Sequence, residues 1–130
     1  MGQTPLKIVI IDDNPDFLFT METFLTRNGF SVETASDGNK GVELIRDHRP
    51  DLILLDVMME NTYSGFEVCR QIRIDPDLKA TPIVGISGMA EELGVKFDDY
   101  EDSEYFSPDA FFDKPVDKAA LLEKINDLVS

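Results

Sequence analysis

Short apolar runs alternate along this chain with stretches in which apolar residues recur every three or four positions. The runs are Leu6 to Ile11, Ser31 to Ala35, Asp51 to Leu55, Pro82 to Ile86 and Ala110 to Phe112. They have strand length, and Ile8-Val9-Ile10-Ile11, Leu52-Ile53-Leu54-Leu55 and Ile83-Val84-Gly85-Ile86 are so continuously apolar that they read as strands covered on both faces. The stretches between them have helical period, so the alternation predicts βαβ units, a parallel sheet and right-handed crossovers.

The first helix opens at Asn14-Pro15, an N-cap followed by the proline preferred at the first helical position. Phe17, Met21, Phe24 or Leu25, and Asn28 follow at helical spacing, and Gly29 stops it. A second helix is expected from about Gly38 to His48 behind the cap Asp37, with Val42, Leu44 and Ile45 apolar. A third starts near Gly65, carries Phe66, Val68, Cys69 and Ile72, and ends at Asp75-Pro76. The last begins at the cap Asp117 and turns Leu121, Leu122, Ile125, Leu128 and Val129 toward the sheet. Between Gly88 and Asp109 the pattern breaks: Glu91 to Glu104 holds seven acids against the single base Lys96, and its apolar residues keep no clean period. A short or displaced fourth helix and a mobile acidic loop are expected there.

At 130 residues the chain has the length of one domain, with 42% hydrophobic residues to build a core. Its apolar runs are too short to span a bilayer, and no basic, then apolar, leader opens it. The single cysteine, Cys69, forms no internal disulfide and suits a reducing, cytoplasmic setting. The net charge of −14, from 26 acids and 12 bases, argues against nucleic acid, whose phosphates need Lys and Arg.

Candidate chemistry gathers at strand ends. Asp12-Asp13, Asp56 and Lys114-Pro115 each follow an apolar run, and Ser87-Gly88 follows another, placing all of them at the strand C-termini, where open parallel α/β sheets bind ligands. Three clustered carboxylates repel one another and raise one another's pKa. A bound divalent metal together with Lys114 would resolve the conflict.

In these residues the chain resembles the receiver domain of two-component response regulators, by Ile10-Ile11-Asp12-Asp13, Leu54-Leu55-Asp56-Val57-Met58-Met59, Gly65-Phe66-Glu67-Val68, Ile86-Ser87-Gly88 and Asp113-Lys114-Pro115, in family order. The resemblance implies a flavodoxin-like, doubly wound α/β fold, with five parallel strands in the order 2-1-3-4-5 and helices on both faces. It makes residues 1–130 a single receiver domain with no output domain, acting alone or as part of something longer. It makes Asp56 the phosphoacceptor, a nucleophile already ionised, and Mg²⁺ the cofactor. Asp13 and Asp56 would ligate the ion directly, Asp12 through water, and the backbone carbonyl of Met58 would add a ligand. Lys114 would pair with the phosphoryl group, Ser87 would donate to it, and the N–H groups of Val57 and Gly88 would complete the cradle. Pro115 would follow a cis peptide that aims Lys114 inward, and Phe111 would be the switch aromatic or a plain core residue.

The expected partners are a sensor histidine kinase or a histidine phosphotransfer protein, docking on a first-helix surface with Phe17, Phe19 and Thr20, and an unidentified downstream protein. The chain would be a monomer or dimerise on phosphorylation. No separate enzyme activity is expected beyond self-dephosphorylation, which Met58 and Met89 would slow by hindering water. His48 is expected to face solvent and is a poor phosphodonor. Two other readings compete. One is a phosphorylation-independent binding module, against which the retained Asp12, Asp13, Asp56, Ser87 and Lys114 argue. The other is a haloacid dehalogenase-type hydrolase, which needs an aspartate where Met58 stands.

Overall fold

The computed structural model of the chain describes residues 5–56, 64–87 and 109–129. Their elements run β1 (Lys7–Ile11), α1 (Pro15–Arg27), β2 (Ser31–Ala35), α2 (Gly38–His48), β3 (Leu52–Asp56), α3 (Ser64–Ile74), β4 (Ile83–Ser87), β5 (Ala110–Asp113) and α4 (Lys118–Val129). The strands form one parallel sheet in the order β2-β1-β3-β4-β5, as the alternation and the resemblance imply. The expected irregular helix falls in segment 88–108, outside the described residues.

Both sheet faces are covered, so successive residues of a strand are buried on opposite sides. Val9, Ile11, Ile53, Leu55 and Ile83 pack against Val42 and Ile45 of α2 and Val68, Cys69 and Ile72 of α3. Ile8, Ile10, Leu52, Leu54, Val84 and Ile86 pack against Met21 and Leu25 of α1 and Leu121 and Ile125 of α4. This is why β1 and β3 read as unbroken apolar runs, whereas edge strand β2 alternates and exposes Ser31 and Glu33.

The ends of α1 follow local chemistry. Asn14 Oδ1 accepts the N–H groups of Asp16 and Phe17, and Gly29, at φ 94°, takes the left-handed turn after the Asn28 C-cap. The αL cap of α2 is Arg49, at φ 46°. Gly41 lets α2 lie close on β1: a Cβ there would stand 2.7 Å from Ile11 Cγ1 and closer still to its Cδ1. His48 is half-buried rather than solvent-facing, and its carbonyl accepts from Lys7 Nζ at 3.1 Å.

Candidate functional site at the carboxyl edge of the sheet

Central strands β1 and β3 are neighbours, and the chain leaves them toward opposite edges of the sheet. Asp12 immediately follows β1, and Asp56 is the last residue of β3. Both are buried, Asp12 at 0% exposure and Asp56 at 6%. Two carboxylates so deep in a small domain require partners, since an uncompensated buried charge costs several kcal/mol.

For Asp12 those partners are visible. Its Oδ1 accepts the Asn14 N–H at 2.8 Å, and its Oδ2 accepts from Lys114 Nζ at 2.8 Å. The same ammonium lies 3.5 Å from Asp56 Oδ2. Lys114 follows β5, two strands away from β3, and its long stem carries the charge back to the central strands. Its peptide bond to Pro115 is cis, as expected. Burial alone would lower the lysine pKa; the hydrogen bond and charge of Asp12, then those of Asp56, outweigh it and raise the value above the ordinary 10.5.

Asp13 is exposed beside them, and one carboxylate oxygen from each of Asp12, Asp13 and Asp56 lies within 4.8 Å of the other two. Oxygens across a magnesium octahedron stand about 4 Å apart, and Mg²⁺ favours carboxylate and water ligands. The donor set therefore fits a hard divalent cation after small side-chain adjustments.

Ser87 ends β4, with its backbone in register with Asp113 of β5. Phe111 of β5 is half-buried against the α2/α3 face of the core. Val57, Met58, Gly88 and Met89 lie outside the described residues. Sequence reasoning missed two contacts, the Asn14 N–H on Asp12 and the Phe17 ring, whose centroid is 4.4 Å from Lys114 Nζ. Phe17 is readable as a residue of the first helical turn, four positions after Asp13, but no pattern in the sequence pairs it with Lys114. Of the three residues of the expected docking surface, Phe19 is exposed at 70% and Thr20 is exposed, whereas Phe17 is half-buried against the core.

An open cleft of about 230 Å³ between the C-terminal ends of α2 and α3 is unrelated to these carboxylates. Arg46 with Asp75 and Arg49 with Asp77 pair there only at 3.9 Å. Among the described residues no helix is long and apolar enough to cross a membrane.

An acidic trio and a lysine at the switch point of a 2-1-3-4-5 sheet define a phosphoacceptor class of signalling domain. The response regulator receiver domain model matches residues 8–126, and the chain belongs to that family, the receivers of two-component systems. It is 29% identical to the protein PilH of Pseudomonas aeruginosa over 92% of this chain and 94% of that one. It is 40% identical to the transcriptional regulatory protein AfsQ1 of Streptomyces coelicolor over 68% of this chain but only 38% of that protein, so it spans well under half of that relative. Among solved structures it resembles the Vibrio cholerae chemotaxis response regulator CheY4, with a TM-score of 0.81 and 24% identity over 96% of this chain and 99% of the other. The receiver domain of a Pseudomonas aeruginosa sensor histidine kinase, described with a magnesium ion coordinated in its active-site cleft, matches at TM-score 0.81 and 22% identity over 97% and 98% of the two chains.

Proposed function

We propose that Asp56 accepts a phosphoryl group from a phosphohistidine on a sensor histidine kinase or histidine phosphotransfer protein, and that the resulting aspartyl phosphate switches the surface read by a downstream protein. The convergence of buried Asp12 and Asp56 on Lys114, with the Asp13 carboxylate within 4.8 Å of both, carries this reading. A carboxylate oxygen of Asp56 attacks phosphorus, forming an O–P bond while the bond from phosphorus to the donor imidazole nitrogen breaks. The pocket contributes positioning and charge neutralisation, the main requirements of phosphoryl transfer.

Asp12, Asp13, Asp56 and the Met58 carbonyl would hold Mg²⁺, which when bound neutralises carboxylate and phosphoryl charge together. Lys114, already between Asp12 and Asp56, would shift its ammonium onto a phosphoryl oxygen. The Ser87 hydroxyl and the N–H groups of Val57 and Gly88 would donate to the others. Phe111 is assigned to the switch, moving inward as Ser87 is drawn to the phosphoryl group. Self-dephosphorylation would serve as a timer, slowed by Met58 and Met89.

Incubation with acetyl phosphate, with and without Mg²⁺, followed by intact mass, tests the proposal. A metal-dependent gain of one phosphoryl group that Asp56→Asn abolishes is the expected result. No gain in folded protein would overturn it in favour of a phosphorylation-independent binding module.

A further inference from the structure

Lys114 is held by more than its two carboxylates. Its ammonium also stands over the ring of Phe17, 4.4 Å from the centroid. Phe17 sits in the first turn of α1, half-buried, with its N–H on Asn14 Oδ1, and the N–H of Asn14 in turn is on Asp12. The strand end, the helix cap and the aromatic ring therefore form one connected set around the lysine. Phe17 also touches the α1/α4 side of the core, so the plain alternative is packing. Packing alone would be served equally by leucine. What leucine lacks is the negative face of a π system, which attracts a cation and is worth most where water is partly excluded.

Building on the phosphoacceptor reading, we propose that Phe17 is a positioning residue: its ring face keeps the Lys114 ammonium at the mouth of the Asp12–Asp56 pair, where an incoming phosphoryl oxygen meets it. A four-carbon stem has many rotamers, and the Lys114 side chain is still 25% exposed, so two acceptors alone leave the ammonium room to swing toward solvent. The ring adds a third attraction at 4.4 Å without supplying a competing negative charge that would hold the lysine back from phosphate. A carboxylate in its place would do so.

The test compares the native chain with Phe17→Leu, Phe17→Tyr and a chain carrying pentafluorophenylalanine at position 17, in which the ring keeps nearly its shape but its face is no longer negative. Two quantities are read: the acetyl phosphate rate divided by the half-saturating concentration, and the ring-current shift of the Lys114 Cε protons without metal or phosphodonor. Leucine and the fluorinated ring should each lower the first by about three- to tenfold, tyrosine should restore it, and leucine should abolish the upfield shift. A native-like rate ratio in the fluorinated chain, or no upfield shift in the native one, would overturn the proposal. Absence of any phosphorylation in the native chain would instead defeat the underlying phosphoacceptor reading, which these comparisons presuppose.

Discussion

Lys114 and Asp12, 102 residues apart in the chain, meet at 2.8 Å through Nζ and Oδ2, with Asp56 Oδ2 only 3.5 Å from the same nitrogen. Without a metal this ammonium is a counter-charge to both buried carboxylates, and with one it competes for the same oxygens. Lys114→Met should therefore act in opposite directions on stability and on metal binding. In chelator it should destabilise the fold by about 1–3 kcal/mol, because Asp12 loses its cationic partner. It should tighten Mg²⁺ binding by about tenfold, because a positive charge no longer stands a few ångströms from the ion. Calorimetric titration with Mg²⁺ checks the second effect, and weaker binding would contradict the competition.

The raised pKa of Lys114 fixes the sign of a pH effect. Burial opposes the charge, but Asp12 first and Asp56 second hold the proton more tightly in the folded chain than in the unfolded one. A group raised on folding contributes its full stability below the unfolded value, 10.5 for Lys114, and loses it as pH climbs through the higher folded value. In chelator, the stability gap between the native chain and Lys114→Met should hold steady from about pH 8 to pH 10 and narrow above that. Urea midpoints across that range check this, and a gap that widens above pH 10 would contradict it.

Gly41 is a place where helix propensity and packing disagree. Alanine in a helix interior gains about 1 kcal/mol over glycine. Here the new methyl would press on Ile11, which is fully buried beside Asp12, and overpacking costs about 1–3 kcal/mol. Gly41→Ala should therefore be destabilising by about 1 kcal/mol, the opposite of its effect in an open helix. Ile11→Val removes the Cδ1 in the way, so the double variant should lose less than the sum of the singles. Denaturant unfolding of the four chains measures that coupling.

Asp109 joins three elements at the opposite end of the sheet. Its Oδ2 accepts from the Ile83 N–H at 2.8 Å and from Arg73 Nη2 at 3.0 Å, while Arg73 Nη1 donates to the carbonyls of Lys79 and Thr81 at 2.9 Å each. The Arg73 side chain is only 13% exposed, so its charge depends on these partners. Asp109→Ala should cost about 2–3 kcal/mol and Asp109→Asn about half as much, since the amide oxygen still accepts. Thermal unfolding in the same buffer ranks the two, and equal losses would mean that charge, not acceptance, matters there.

Much of this architecture is legible in the sequence because both faces of the sheet are buried and the central strands are apolar throughout. The strand limits are less legible, because hydrogen-bond pairing sets them rather than hydropathy. Asp56 belongs to β3 since it lies in register with Ile86, and exposed Leu6 falls outside β1, which begins at Lys7 opposite Ser31. Helix limits at Asn14, Asp37 and Asp117 were readable, because caps are local chemistry. The carboxylate trio and Lys114 could be placed at one edge from strand order. The Lys114–Phe17 contact, the close approach at Gly41 and the Arg73–Asp109 tie depend on side-chain geometry across distant elements, which no periodicity encodes.

The most direct test of the central claim locates the phosphoryl group itself. After treatment with acetyl phosphate and Mg²⁺, borohydride reduces an aspartyl phosphate to homoserine, and peptide mass mapping finds the converted residue. The expected result is homoserine at position 56, absent when metal is chelated. Conversion at another aspartate with Asp56 intact would contradict the assignment.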